Sequence, residues 1–242
     1  MKNGIYSSTA GMMAAMDRLG IIANNIANVE TPGFKADVPF EEVLRTAGNE
    51  AYPGKEQPFL SGSRANLSGG ALKTTGRPLD LAFTTDKGFF TVQGPDGNPL
   101  YTRNGSFTLN SQHDLVTADG LPVLDSFGKT IRLIGDKVEV ATGGEIQVDG
   151  QYLARLKVVD IPDADRVEKV GNNLFRANSA EPAALATPSI TSGALEGANV
   201  NVVGEMVALI QAQRAYDFQN RALDTILVQT LRKTVTELPR PV

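Results

Sequence analysis

The sequence predicts an α+β protein. A discontinuous helical domain of coiled-coil type is built from the N- and C-terminal helices, and the chain between them forms a central all-β domain of sandwich or barrel-like form. Three observations lead there. Long apolar patterns at helical spacing lie only at the two chain ends. The interior holds most of the 24 glycines and 13 prolines, spaced as turns between short strand-like runs. Both end helices carry apolar residues on more than one face, which asks for burial on more than one face. The expected divisions are an N-terminal helix over 1–29, an extended arm over 30–71, the β domain over 72–190, and a return segment with the C-terminal helix over 191–242.

The first helix is expected over Ile5 to Val29, with Ile5, Met12, Ala15, Leu19, Ile22, Ile26 and Val29 on one side and Met13, Ala14 and Ile21 elsewhere. Ser7, Ser8 and Thr9 soften its first turn. Asn28 suits its end, and Pro32 pushes Thr31 out of the helical region. Pro32 and Gly33 fit the central positions of a type II turn, with Gly33 at positive φ. Asn24, Asn25 and Asn28 are poor helix formers, so hydrogen bonds beyond their own helix are expected of them.

Ala36 to Gly70 reads as irregular, with a short helix over Phe40 to Arg45 and a linker or arm from Tyr52 to Gly70. Strands are expected near Leu79–Thr84, Gly88–Gln93, Leu100–Arg103, Ser106–Leu109, Leu115–Thr117, Leu121–Leu124, Thr130–Leu133, Val138–Val140, Glu145–Val148 and Leu153–Asp160. Pro95 to Pro99 forms a hairpin turn between two of them. Ala180 to Asn201 returns the chain in extended form.

The last helix is expected over Val202 to Leu238, on the order of 50 Å long. Val202, Met206, Leu209, Tyr216, Leu223, Leu227, Leu231 and Leu238 make its main stripe. Val207, Phe218, Ile226 and Val228 lie off that stripe, and Arg214, Asp217, Arg221 and Asp224 run down a remaining flank. One partner helix cannot cover all of this, which points to assembly.

Composition narrows the chemistry. A formal net charge of -4 offers no footprint for a nucleic acid or an anionic membrane. No run is long and apolar enough for a membrane span, and the first residues do not read as a cleaved leader. With no cysteine and one histidine, zinc and thiolate chemistry have no ligands or nucleophile. His113 sits in a turn-like stretch, Asn110 to Asp114, and a Ser-His-Asp triad needs distant groups to converge on it. Asp96, Asp114, Asp119, Asp149 and Asp163 are explained by turns, and the pairs Glu41–Glu42 and Asp163–Asp165 have no supporting context. No phosphate loop or dinucleotide fingerprint is present. The expectation is no enzyme, no cofactor and no metal.

The stretch Ala23 to Lys35 carries a long and unusual motif: Asn25-Ile26-Ala27-Asn28, then Thr31, Gly33, an aromatic at Phe34 and a basic residue at Lys35. It resembles the signature of the bacterial flagellar rod, hook and hook-associated axial proteins. Gly88-Phe89-Phe90, Tyr101 to Phe107 and Asp119 to Leu124 resemble the core of that family's outer domain. Leu195 to Val200 resembles its lead-in to the C-terminal helix, with Ala198 where serine is commonest, and Glu205 to Tyr216 is similar to that helix itself.

The resemblance implies a structural subunit of the flagellar basal-body rod. It would be exported through the flagellum's own type III apparatus and assembled in the periplasmic space with copies of itself and other rod and hook proteins. Repetition of a heterologous interface gives an open helical tube, which would transmit torque and house the export channel. Pro32 leans toward a proximal-rod type, with a distal-rod member as the alternative. The residues expected at subunit interfaces are Leu19, Ile22, Asn24, Asn25, Ile26, Asn28, Thr31, Gly33 and Phe34, with Asn199, Met206, Leu209, Gln213, Tyr216, Leu223 and Leu227. A secreted β-domain adhesin closed by its terminal helices is the reading from another class. A cell-wall hydrolase stands lower, because no extra domain is present to carry it.

Overall fold

The structure, a computed structural model, describes residues 2–45, 56–135, 137–161, 167–178, 182–185 and 187–236; side chains at 2–8, 41–45, 56–61 and 229–236 are left undescribed. The expectations for Tyr52 to Gly54, Asp163, Asp165 and Leu238, and for the side chains of Ile5, Glu41, Glu42 and Leu231, lie outside the described residues or side chains. The chain divides into two units: Met1–Ala27, Asp37–Arg64 and Asn201–Val242 form one, and Asn28–Ala36 with Ala65–Val200 form the other.

The first unit is built on two helices, α1 (Lys2–Ala27) and α2 (Val202–Thr236). Asn25 meets Glu205 near the start of α2, while Gly11 faces Gln219 further along, so the two helices run antiparallel. Ala15 and Ile22 of α1 and Ala212 of α2 are buried, small and aliphatic groups on the facing sides. Gly11 is in the seam because a Cβ there would press to 3.1 Å from the amide of Gln219. Asn201 caps α2: its side-chain oxygen accepts the Gly204 amide at 3.2 Å, and its carbonyl accepts from Glu205. Glu205, in the first turn, complements the positive end of the helix dipole.

Two strands, β1 (Asp37–Arg45) and β2 (Glu56–Ala65), pair in the same unit and correct the expectation of a short helix at Phe40 to Arg45. Glu41 to Arg45 are adequate helix formers, but a partner strand outweighs that local preference. Arg64 stacks its guanidinium over the Phe40 ring at 4.2 Å, fastening the pair.

The second unit contains short strands. β3 (Leu72–Thr74), β4 (Leu81–Phe83), β5 (Phe89–Gln93), β6 (Pro99–Thr102), β7 (Phe107–Leu109) and β8 (Leu115–Thr117) come first. β9 (Val138–Val140), β10 (Glu145–Val148), β11 (Gln151–Arg155) and β12 (Val158–Val159) follow. β13 (Val167–Gly171), β14 (Leu174–Ala177), β15 (Ile190–Ser192) and β16 (Ala194–Glu196) end the series. The five-stranded sheet runs β12-β5-β6-β14-β13, and a three-stranded sheet runs β11-β10-β9. β15-β4, β16-β3 and β7-β8 are separate two-stranded ribbons.

The five-stranded sheet buries both faces, because its residues alternate sides. Phe90, Val92, Leu100, Leu174 and Val158 enter the main core; Phe89, Tyr101, Val159, Val167 and Phe175 make a second cluster. Phe90 stacks on Phe83 at 4.4 Å between ring centroids and meets Phe107 edge-on at 5.1 Å. The barrel-like half of the expectation is corrected: the strands do not close. Closure needs one continuous ladder around a ring. Here the described strands divide into separate sheets: the five-stranded sheet ends at β12 and β13, and β11-β10-β9 and the two-stranded ribbons are not part of its ladder. Leu121–Leu124 and Thr130–Leu133, expected as strands, contribute isolated bridges instead. The return segment is extended as expected, yet it also supplies β15 and β16 to the unit.

Candidate assembly interface

In the helical unit, the faces that α1 and α2 turn toward each other leave other apolar groups in water. On α2, Val203, Met206, Val207, Ile210, Phe218, Leu227 and Val228 are exposed, Phe218 by 70%. Wound at 100° per residue, Val203, Val207, Ile210, Phe218 and Val228 fall within one third of the helix circumference. Arg214, Asp217, Arg221 and Asp224 share that side and are exposed. On α1, Met13 and Met16 are exposed, Met13 by 62%. A polar solvated surface would not place this much aliphatic and aromatic area on adjacent turns.

The expected site residues divide by their surroundings. Met206, Gln213 and Leu227 are exposed, and Leu19, Ile26, Leu209, Tyr216 and Leu223 are half-buried. Ile22 is buried. Asn24 is exposed and reaches the Asp37 carboxylate at 3.4 Å. Asn25 is only 1% exposed. Its side-chain oxygen accepts the Asp37 amide at 2.8 Å, and its Nδ2 donates to the Asp37 carbonyl at 2.9 Å and to Glu205 at 3.1 Å. The hydrogen bonds expected beyond its own helix are therefore made inside the chain, to β1 and α2. This ties the end of α1 to the strand that follows and to the start of α2.

The remainder of the signature belongs to the β unit. Thr31 bonds back to Asn28, and its carbonyl accepts the Phe34 amide at 3.3 Å, closing the turn over Pro32 and Gly33. Gly33 has φ of 69°, as the type II geometry requires, and a Cβ there would stand 2.4 Å from the Asn104 amide nitrogen. Phe34 is buried, with the Lys169 ammonium 4.7 Å from its ring centre. Lys169 also donates to the Lys35 carbonyl at 2.6 Å, and Asn173 donates to the Pro32 carbonyl at 3.2 Å. Asn199 bridges: its oxygen accepts the Ala36 amide at 2.7 Å, while its Nδ2 donates to the Asn66 and Ser68 carbonyls at 2.8 and 3.0 Å. Gly33, Phe34 and Asn199 thus make their visible contacts within the chain.

Three residues absent from the expected set complete this node. Lys35, Arg103 and Glu196 form a buried charged triad, with side chains 0%, 0% and 1% exposed. The Lys35 ammonium lies 2.6 Å from Glu196 Oε1 and donates to the Ser68 carbonyl at 2.5 Å. Arg103 Nε lies 2.9 Å from Glu196 Oε2, an ion contact without the alignment of a hydrogen bond. The Arg103 guanidinium also donates to the carbonyls of Gly88 and Thr85. Glu196 Oε1 accepts the Gly70 amide at 2.9 Å, and its backbone carbonyl accepts Gly33 at 2.7 Å. Burial holds both Lys35 and Arg103 below their ordinary ranges, with the Glu196 carboxylate opposing the effect. The signal available in sequence was a basic residue closing the motif and an acid in the lead-in to α2, but nothing in sequence pairs positions 161 apart.

Outside these nodes, His113 takes a left-handed turn conformation with φ of 63°, held where the Asn110 side chain accepts the Gln112 and Asp114 amides. Among the described residues, no group of three or more His, Cys, Asp or Glu is placed to hold a metal ion, and no helix is long and apolar enough to cross a membrane.

Three family models match the chain. Residues 5–35 match the flagella basal body rod protein family, residues 85–161 the flagellar hook protein FlgE/F/G D1 domain, and residues 191–226 the flagellar basal body rod FlgEFG protein C-terminal region. The first and third matches take in both helical ends, and the second takes in the centre of the β unit. Among curated proteins, the flagellar basal-body rod protein FlgF of Rhizobium meliloti is 36% identical, over 90% of this chain and 90% of its own length. FlgG of Bacillus subtilis is 32% identical over 93% and 95% of the two chains, and FlgF of Caulobacter vibrioides 34% over 93% of each. With the signature, the outer-domain core and the C-terminal helix all matched, this chain belongs to the flagellar basal-body rod protein family.

Proposed function

We propose that this chain is a structural subunit of the rod, repeated with its neighbours into a helical tube whose wall is made by the terminal helices. The observation that carries this reading is the exposed apolar face of α2, from Val203 through Phe218, together with Met13 and Met16 of α1. At roughly 25 cal/mol per Å² of apolar surface, covering several such side chains contributes enough to drive repeated contact between subunits. The signature and the lead-in to α2 hold each copy's own chain in shape, and the helix faces meet the neighbours. Leu19, Leu209, Tyr216, Leu223 and Leu227 border the seam and extend that contact. The tube transmits torque to the hook and houses the export channel. Its partners are copies of itself, other rod and hook proteins, and the type III export apparatus that carries it to the periplasmic space.

Within the family, length favours the FlgF-like type. The alignment with FlgF of Rhizobium meliloti spans 229 positions, whereas that with FlgG of Bacillus subtilis spans 253, more than the 242 residues of this chain. The FlgG relative therefore carries residues this chain lacks. The proximal position suggested by Pro32 is the placement proposed here.

The test is complementation of a strain lacking the gene. Phe218→Asp alters a group that the chain's own packing does not use, so the purified variant should keep wild-type hydrogen exchange in the β unit. It should fail to enter basal bodies and to restore swimming. Normal swimming with Phe218→Asp would refute the assignment of this face.

A further inference from the structure

The β unit is finished from its far end. In the described residues, β3 has β16 as its sheet partner and β4 has β15, so both early ribbons wait on strands more than a hundred residues later. The backbone repeats the pattern. Gly193 donates to Asp80, Gly197 to Ala71 and Asn199 to Phe34, and Thr84 donates to Ser189. The charge arrangement is the sharpest part. Without residue 196, Lys35 and Arg103 would be two buried cations facing the carbonyls of Ser68, Gly88 and Thr85 and, for Arg103, the rings of Phe83 and Phe89, groups that carry no full negative charge. Of the other carboxylates that act on them, Asp86 is exposed and accepts the Gly69 amide, and Asp160, which acts on Arg103, is half-buried. Burying two like charges without an anion is strongly unfavourable.

We propose that Glu196 is the closing latch of the β unit. Residues 33–36, 71–75 and 80–84 form an open edge that becomes native only when segment 189–199 docks, and the Glu196 carboxylate sets that docking by neutralising Lys35 and Arg103. β5, β6 and β14 lie side by side in one sheet that takes no strand from this segment, although they share the main core with Phe83 and Ile190. The unit therefore has a separately opening block, joined by long-range contacts whose loop closure is unfavourable until the last strand arrives.

Native-state hydrogen exchange of the full chain in rising urea tests the latch. In the wild type, amides of 33–36, 71–75, 80–84 and 189–199 should open together, at lower urea than those of β5, β6 and β14. In Glu196→Gln, that block should exchange about tenfold faster or more, the scale of one lost charge-assisted hydrogen bond. β5, β6 and β14 should be unchanged. Lys35→Gln, which leaves one cation opposite one carboxylate, should accelerate the block less than Glu196→Gln. The proposal is overturned if the wild-type block opens only together with β5, β6 and β14, if Glu196→Gln matches the wild type, or if it accelerates the whole unit evenly. Should Glu196→Gln fail to fold, the wild-type urea series decides by itself.

Discussion

Adjacent asparagines in the signature should differ sharply on substitution. Asn25→Ala removes two hydrogen bonds to the Asp37 backbone, at 2.8 and 2.9 Å, and one to the Glu205 carboxylate at 3.1 Å, all from a side chain 1% exposed. Neutral bonds contribute about 1 kcal/mol each and a bond to a charged group about 2 kcal/mol. The sum is about 4 kcal/mol, and water entering the vacated space recovers some of it, leaving about 3 kcal/mol. That is a large share of the stability of a typical domain, roughly 5–15 kcal/mol. Asn24→Ala, at an exposed position with a 3.4 Å contact to Asp37, should cost under about 1 kcal/mol. Hydrogen exchange of α1 and α2 amides reads the difference: Asn25→Ala should accelerate it about a hundredfold, and Asn24→Ala by less than about fivefold. Equal effects would refute the view that Asn25 pins α1, β1 and α2 together.

Gly33→Ala should destabilise the β unit by at least about 2 kcal/mol, since alanine is strained at φ of 69° and its Cβ would overlap the Asn104 backbone; urea unfolding checks it, and an unchanged midpoint would contradict the turn geometry. Leu223→Asp should abolish rod incorporation while β-unit exchange stays wild-type, as read by basal-body composition. Lys35 supplies a pH dependence. Its pKa is held below the usual 10.5, so between its folded value and 10.5 the unfolded chain binds the proton and the folded chain does not. This group's contribution to stability rises with pH across that window, and Lys35→Met should remove the rise from urea titrations; an identical slope in the variant would mean that Lys35 is solvated.

The helices were legible because periodicity is local. Val202 begins α2 as the pattern indicated, and Asn201 supplies the cap that a sequence reader would look for there. α1 stops at Ala27, shortly before the expected Val29, because the turn to Thr31 starts at Asn28. Hairpin strands such as β5 and β6 were visible through the Pro95–Pro99 turn between them. β1 was hidden by helix-forming residues whose state is decided by β2, and the pairings of β15 and β16 were hidden by distance along the chain. The same distance concealed the Lys35–Arg103–Glu196 triad, although each residue stood inside a motif that drew notice. Asn25 and Asn24 were indistinguishable in sequence, because which of them turns inward depends on where α2 lies. Of the off-stripe residues Val207, Phe218, Ile226 and Val228, three are exposed and Ile226 is half-buried.

Cryo-electron microscopy of basal bodies containing this subunit addresses the exposed helix faces most directly. Val207, Ile210 and Phe218 should lie in van der Waals contact with apolar side chains of adjacent subunits. If those three side chains instead point into solvent along the whole rod, the apolar faces are not what joins its subunits.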